Sequence, residues 1–534
     1  MSVCCKNLIL LSLLILTGQK QALGNYAQGQ ALFQKGDFGN AASAYFQSYT
    51  SAKSPQEKIW SEWGLGQSLQ KMGFLYSASK YYSIIVRRGP AASNPYFKKA
   101  FEELGIINST VSLGQSHVVQ LFKTKIDAAS VPGPSRGFYF FYLGVEAFLE
   151  KKFEVAGNYF RRVPANSPYY TKALFHLGVI SNLAGSHSRA LRYFENVQSN
   201  LKNSDSESRW IEESTSMNMA RVYYEAKRYR DSLKFYAQIP RDSDNWLEAI
   251  FESGWAFFLM QKHNNTLGNI HTLHSPFFEN RFYPESYILQ AITFLRLCRY
   301  EEVKKSLVLF KTRYKSAFQD MKTLLSQYGS DQRGFFKVVY DYRIGSLNKY
   351  RSVWEILDAL SRTDFYREAG NTIRFSDNEI ARLSNEKARW GGSGLADDLT
   401  QFLQKKKQAS IQDSGTRLYD KAKGYYAYLK ELSDQTQLIN AELVLGRVDA
   451  FRKQLNVGSA DSRVQFIGGM QPLEVGAELE YWPFQGEYWE DELGGYVYNI
   501  NSKCQTGAQA TGTPGKSTDK PAEKDTSTPD KAKK

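Results

Sequence analysis

A small residue recurs eight times between Gly29 and Ala291, at spacings of 34 to 42 residues: Gly29, Gly66, Gly105, Gly144, Gly178, Ala220, Gly254 and Ala291. Much of the surrounding framework recurs with it. Leu65-Gly66 is followed by Leu69, Leu75, Ala78, Tyr82 and Pro90, and Leu143-Gly144 by Ala147, Phe153, Ala156, Phe160 and Pro168. Leu177-Gly178 is followed by Gly185, Ala190 and Phe194. A fixed period of this length marks stacked helical hairpins, in which each unit buries its apolar face only against its neighbours.

The pattern assigns parts to each hairpin. The Leu-Gly pair and the residue three further on share one face of a first helix, because residues three and four apart are neighbours on a helix. The small residue admits a second helix, whose Ala and aromatic, four apart, point inward. Lys35-Gly36-Asp37-Phe38, Lys151-Lys152-Phe153, Lys227-Arg228-Tyr229 and Cys298-Arg299-Tyr300 fit the short turns between them. The third unit lacks the Ala and the aromatic; His117 and Leu121 stand there.

On these residues the chain resembles the tetratricopeptide repeat (TPR) family over about 25–315. The resemblance implies an all-α fold, a TPR-type right-handed α-solenoid of about eight hairpins. A non-repeat helical region over 316–461 follows, then a small mixed cap over 462–504. In the non-repeat region Ser376-Asp377-Asn378-Glu379 reads as a capping box opening a helix that ends before Gly391. Two further helices, 395–411 and 415–456, are expected to join at Ser414-Gly415. In the cap, Arg463–Ile467 and Gly495–Tyr498 look like short strands. The aromatic and acidic segment from Tyr481 to Gly494, together with Tyr283-Pro284-Glu285-Ser286 and Cys298-Arg299-Tyr300, resembles exported TPR proteins of myxobacteria-like bacteria tied to gliding-motility and envelope machinery. That resemblance implies an envelope setting. From Gln505 onward no aromatic residue occurs, and 505–534 reads as a disordered tail.

Residues 1–24 read as a cleaved secretory signal: Lys6, an apolar run from Leu8 to Leu16, and Ala22-Leu23-Gly24 as the cleavage site. The run is too short to span a bilayer, and no Cys follows it as a lipoprotein would require. A soluble, exported, periplasmic or secreted protein starting near Asn25 is expected, with no membrane span. The formal charge is +14, dispersed without a run of five basic residues; the densest ordered spots are Arg87-Arg88 and Lys405-Lys406-Lys407. Dispersed charge on an exported chain points to a solvated surface and not to nucleic acid. Cys298 and Cys504 remain after cleavage, and an oxidising compartment favours one disulfide between them over two free thiols.

Chemistry is sparse. Gly515-Lys516-Ser517 lacks the first glycine of a phosphate loop, since Ala510 stands there. His263, His271 and His274 have no carboxylate or Cys at ligand spacing, so no metal or cofactor is expected. Glu487, Glu490, Asp491 and Glu492 beside Trp482, Tyr488 and Trp489 leave two readings: a glycan-binding or hydrolytic site in the 478–492 segment, or a docking cap. No catalytic constellation is identifiable. In the resembled fold, fixed positions of each first helix line the inner groove; here they hold Trp60, Trp63, Phe138, Phe141, Phe148, Phe175, Met217, Phe251, Trp255 and Phe258. So apolar a groove needs covering. Either the 395–504 region fills it, or a segment of another envelope protein does, which would make the chain a non-catalytic scaffold.

Overall fold

A computed structural model describes residues 23–123, 126–201, 206–457 and 486–504. The part of the expected signal up to residue 22, the expected strand 463–467, Trp482 and the expected tail beyond 504 lie outside the described residues.

Among the described residues sixteen helices pair into eight hairpins: α1 (23–34) with α2 (Phe38–Ser51), α3 (Pro55–Lys71) with α4 (Leu75–Arg87), α5 (Phe97–Thr110) with α6 (Gln115–Phe122), and α7 (Arg136–Leu149) with α8 (Phe153–Arg161). Then come α9 (Tyr170–Leu183) with α10 (His187–Asn200), α11 (Ser206–Glu225) with α12 (Tyr229–Tyr236), α13 (Trp246–Leu259) with α14 (His263–Leu273), and α15 (Glu285–Arg296) with α16 (Tyr300–Gln327). Each packs on the next. The fold is an all-α solenoid of TPR type.

Two spacings close the hairpins. Sixteen residues after the small residue, a large ring of the second helix lies across it: Tyr45 over Gly29, Tyr82 over Gly66, Phe160 over Gly144 and Phe194 over Gly178. A Cβ on any of these glycines would sit 2.5 to 2.8 Å from that ring. Seven residues after the small residue, the turn carries a left-handed residue. Glycine fills it at Gly36, Gly73 and Gly185, while Lys151, Lys227, Gln261 and Cys298 adopt it with φ between 51° and 61°. The third unit departs from both rules, because its loop is longer and α6 has only 8 residues.

Beyond the repeats, α16 runs through residue 315 to Gln327, and α17 (Gln332–Arg343) and α18 (Trp354–Ser361) follow. The expected 376–390 helix is longer than its capping box implies: α19 spans Asp364–Trp390, with Ser376 and Glu379 in its interior. Glu379 caps a helix all the same, but a different one. Its carboxylate accepts from Tyr76 N (2.7 Å), Ser77 N (3.0 Å) and Ser77 Oγ (2.7 Å) at the start of α4. One turn on, Arg382 donates to Met72 O (2.6 Å) and Gly73 O (3.1 Å) after the end of α3. An anion on free helix amides and a cation on free carbonyls each complement the helix dipole. Trp390, 2 % exposed, then donates from Nε1 to Gly39 O at 2.9 Å.

The expected break at Ser414-Gly415 is absent. α20 is one helix, Leu395–Val457, of 63 residues, about 95 Å long at 1.5 Å per residue. Gly415 is a contact point: a Cβ there would overlap Gln332 O where α17 crosses. α20 packs antiparallel on α19, touches α4 near one end, and lies on α15, α16, α17 and α18 further along.

Residues 495–498 are not a strand. They lie along α14, with Tyr496 O where a side chain on Gly268 would be, Gly494 N on Thr272 Oγ1 (2.9 Å) and Tyr498 N on Asn264 O (3.1 Å). Their partners belong to a helix, so no ladder forms. Cys298, in the last hairpin turn, is bonded to Cys504 with Cα atoms 5.0 Å apart.

Two outcomes are expected. Gly178→Leu, driven into the Phe194 ring, lowers unfolding free energy by about 1–3 kcal/mol in urea titration. Gly105→Ala, whose Cβ would meet Phe138 at an ordinary 3.6 Å, is tolerated or stabilising, with helix propensity gaining up to about 1 kcal/mol. Equal losses would refute the small-under-ring account. Second, thiol titration of denatured, unreduced protein finds no free Cys298 or Cys504. Reduction removes a constraint across 206 residues, at most about 5 kcal/mol by chain entropy, and exposes 486–504 to protease.

Candidate functional site: the face of the first helices

The expected groove residues divide into two groups. Phe138, Phe141 and Met217 are interior, at 2 %, 8 % and 3 % exposure, which corrects their assignment to the groove surface. The compact third and fourth units cause this for the phenylalanines: Phe138 meets Phe101, Phe122 and Tyr169, and Phe141 lies between Phe160 and Tyr169. Met217 packs with Ala220, Tyr236 and Trp246. Trp60, Trp63, Phe148, Phe175, Phe251, Trp255 and Phe258 are half-buried. Trp63 stacks on Tyr96 at 5.0 Å and Trp60 meets Tyr26 at 5.8 Å.

From the fourth unit to the sixth the half-buried rings form a band. Phe148 touches His176 (5.3 Å), His176 touches Phe175, and Phe175 touches Trp210 (6.4 Å). His176 stacks on Phe160 at 4.8 Å, and burial pushes its pKa down to about 4, so the ring is neutral and acts as an aromatic filler. Beside the band, Leu149 and Leu183 are 50 % and 59 % exposed, and Leu259 of the seventh unit 44 %. All three stand five residues after the small residue of their unit. None of these leucines, nor Trp210, is among the expected groove residues, although the shared register of the three leucines is visible in the sequence.

In the sixth and seventh units the face becomes charged. Arg221 forks onto Glu252 at 2.9 Å and reaches Glu248 at 3.8 Å, while Tyr236 OH donates to Glu252 at 2.8 Å. Burial, and next the Glu252 charge, raise the Glu248 pKa to about 7 against the pull of Arg221. Here α20 returns. Lys421, Tyr425 and Tyr428 join Glu248, Phe251 and Glu285 around a cavity of about 340 Å³, and Tyr425 meets Phe282 at 5.1 Å. Trp255 and Phe258 pack against the apolar cluster that contains Leu429, Leu432, Ile439 and Leu443 of α20. The chain's own helix thus covers the last two units, and the band of the fourth to sixth carries no such cover among the described residues.

The aromatic and acidic segment docks elsewhere. Tyr488 stacks on His271 at 4.6 Å, with Tyr496 and Tyr498 edge-on to the same ring. Trp489 and Glu490–Glu492 face solvent. His274 is half-buried, bonded to Ser286 Oγ at 2.8 Å. Among the described residues no three His, Cys, Asp or Glu side chains are arranged to hold a metal ion, and no helix is long and apolar enough to cross a membrane.

No known family model matches the chain, and no curated protein matches it. Among solved structures it is similar to the apo form of RapI (8 % identity, 75 % of this chain and 98 % of that chain, TM-score 0.30) and to yeast Tom70 (13 %, 83 % and 99 %, 0.26). A tetratricopeptide repeat protein from Parabacteroides merdae is also similar (13 %, 55 % and 93 %, 0.24). These superpositions are loose, and the reading of function rests on this chain's own surface.

A pH dependence follows from Glu248. A carboxyl whose pKa rises on folding adds stability below its ordinary value of 4.5, and that stability is lost as pH climbs through about 7. Glu248→Gln should therefore lose less Tm between pH 5 and pH 8 than the parent. Its side chain is 42 % exposed, so solvent moderates the size but not the sign. Identical pH profiles for parent and variant would exclude this coupling.

Proposed function

We propose that the protein is a non-catalytic scaffold of the bacterial cell envelope, exported and released as a soluble protein, which holds an apolar segment of another envelope protein on the first-helix face of its fourth to sixth hairpins. The observation that carries this reading is the band Phe148–His176–Phe175–Trp210 flanked by the exposed Leu149 and Leu183. Contiguous apolar surface on a rigid support is what binding a partner segment requires, and such patches are otherwise costly to expose. The partial cover by α20 supports a division of the face, with the chain's own helix over the last two hairpins and a partner before them. The Lys6-led apolar run, Ala22-Leu23-Gly24 and the Cys298–Cys504 bond support export.

The test is site-specific photocrosslinking in cells. A benzophenone amino acid at Leu149 or Leu183 should give discrete adducts with envelope proteins, whereas one at Val308, equally exposed on α16, should give none. Leu183→Glu should abolish the adduct formed from Leu149 and leave Tm within about 1 °C, as expected for an exposed position. Adducts of equal yield at Val308, or none at either leucine, would rule the reading out.

A further inference from the structure

The irregular third hairpin leaves a cavity of about 420 Å³ between α6, α19 and α20, within the size range of small-molecule sites. Its origin is visible in the repeat framework. Where the first, second, fourth and fifth hairpins bring an Ala and a ring inward, this one has His117 and Leu121 on a helix of 8 residues. Leu121 is fully buried, but His117 faces the gap, and the α19–α20 pair roofs it over.

The lining is unusual in what it leaves unsatisfied. Gln115 Nε2, His117 Nε2 and Ser414 Oγ are buried without a hydrogen-bond partner, and all three residues line this cavity. Buried polar groups are nearly always paired, so three orphans around one space call for a ligand or water. The charges have a direction. Both carboxylates on the wall are engaged: Glu368 Oε1 accepts from Gln115 N at 2.6 Å, and Asp413 takes Ser116 Oγ at 3.1 Å and Arg417 at 3.2 Å. The cations are less satisfied. Lys406 Nζ donates to Leu113 O at 2.7 Å and lies 4.7 Å over the Tyr76 ring, with no carboxylate bonded to it. Burial lowers the Lys406 pKa to about 8, against the opposing pull of the Glu368 and Glu379 charges. Arg87 and Lys405 add positive charge at the lining, and Phe365, Phe402 and Ala409 supply an apolar side.

We propose that this cavity binds a small organic carboxylate, its head taken by Lys406 and Gln115 and its apolar body packed against Phe402 and Ala409. The site is separate from the apolar band and does not depend on the scaffold reading. Neither acid on the wall needs to move, since each already has its partner, and the orphaned amide supplies a donor for the second carboxylate oxygen.

The full chain is titrated with phenylacetate and with phenylacetamide, which keeps the shape and loses the charge, and binding is read by saturation-transfer NMR. Phenylacetate should bind at millimolar concentration and phenylacetamide about tenfold more weakly or less, as loss of a charge-assisted hydrogen bond requires. Lys406→Met should remove that discrimination, and Ala409→Trp, which fills the space, should abolish binding of both. Absence of phenylacetate binding, equal binding of the two probes, or binding that survives Ala409→Trp overturns the proposal. Should either variant fail to fold, the comparison of the two probes on the parent protein decides alone.

Discussion

The contact of a ring with a bare backbone, sixteen residues apart, underlies the rest of the molecule. Tyr45, Tyr82, Phe160 and Phe194 lie directly on glycines of the preceding helix. That approach sets the distance between the two helices of a hairpin and hence the surface presented to the next one. Close packing leaves little room for adjustment, since cores fill space at crystal-like density. Each hairpin inherits its position from the one before. An end-to-end stack of this kind has no single core, and the structure shows a large apolar cluster near each end with smaller ones between.

A stack whose units touch only their neighbours bends easily. The pair α19–α20 changes that by tying distant units together. Glu379 and Arg382 of α19 hold the turn between α3 and α4, some 300 residues away in sequence, through five hydrogen bonds to four residues. About 95 Å of continuous helix then reaches from α4 to α15 and α16. The same pair roofs the cavity of the third hairpin, and α20 alone covers the charged end of the first-helix face. One element therefore decides which parts of the solenoid stay open. At the far end, the Cys298–Cys504 bond and the seat of Tyr488, Tyr496 and Tyr498 around His271 anchor a second return of the chain.

Several residues had meanings in the sequence that survived in altered form. Ser376–Glu379 had the composition of a helix start, and Glu379 does accept free amides, but those of α4. Gly415 had the composition of a break, and it does mark a special point, but one where α17 crosses too closely for a side chain. Gly495–Tyr498 had the alternation of a strand, yet they lie against a helix whose Gly268 leaves room for their backbone. In each case local chemistry named what the residue can do, while its partner was settled by a contact more than 80 residues away.

By itself the sequence determined the hairpins, because their logic is short-range: a small residue, a ring sixteen further on and a left-handed turn at seven all lie within one unit. It also marked the third unit as irregular through His117 and Leu121, and made Cys298 and Cys504 the expected pair for a bond. The tertiary structure alone decided that Phe138, Phe141 and Met217 are interior while Leu149 and Leu183 are bare, that Lys406 faces a cavity, and that α20 is unbroken and covers the face of the last two units. Those outcomes depend on the path of the stacked hairpins, where small angles between successive units add up over eight repeats. A path of that kind places residues 300 apart in contact, and no period or spacing in the chain records it.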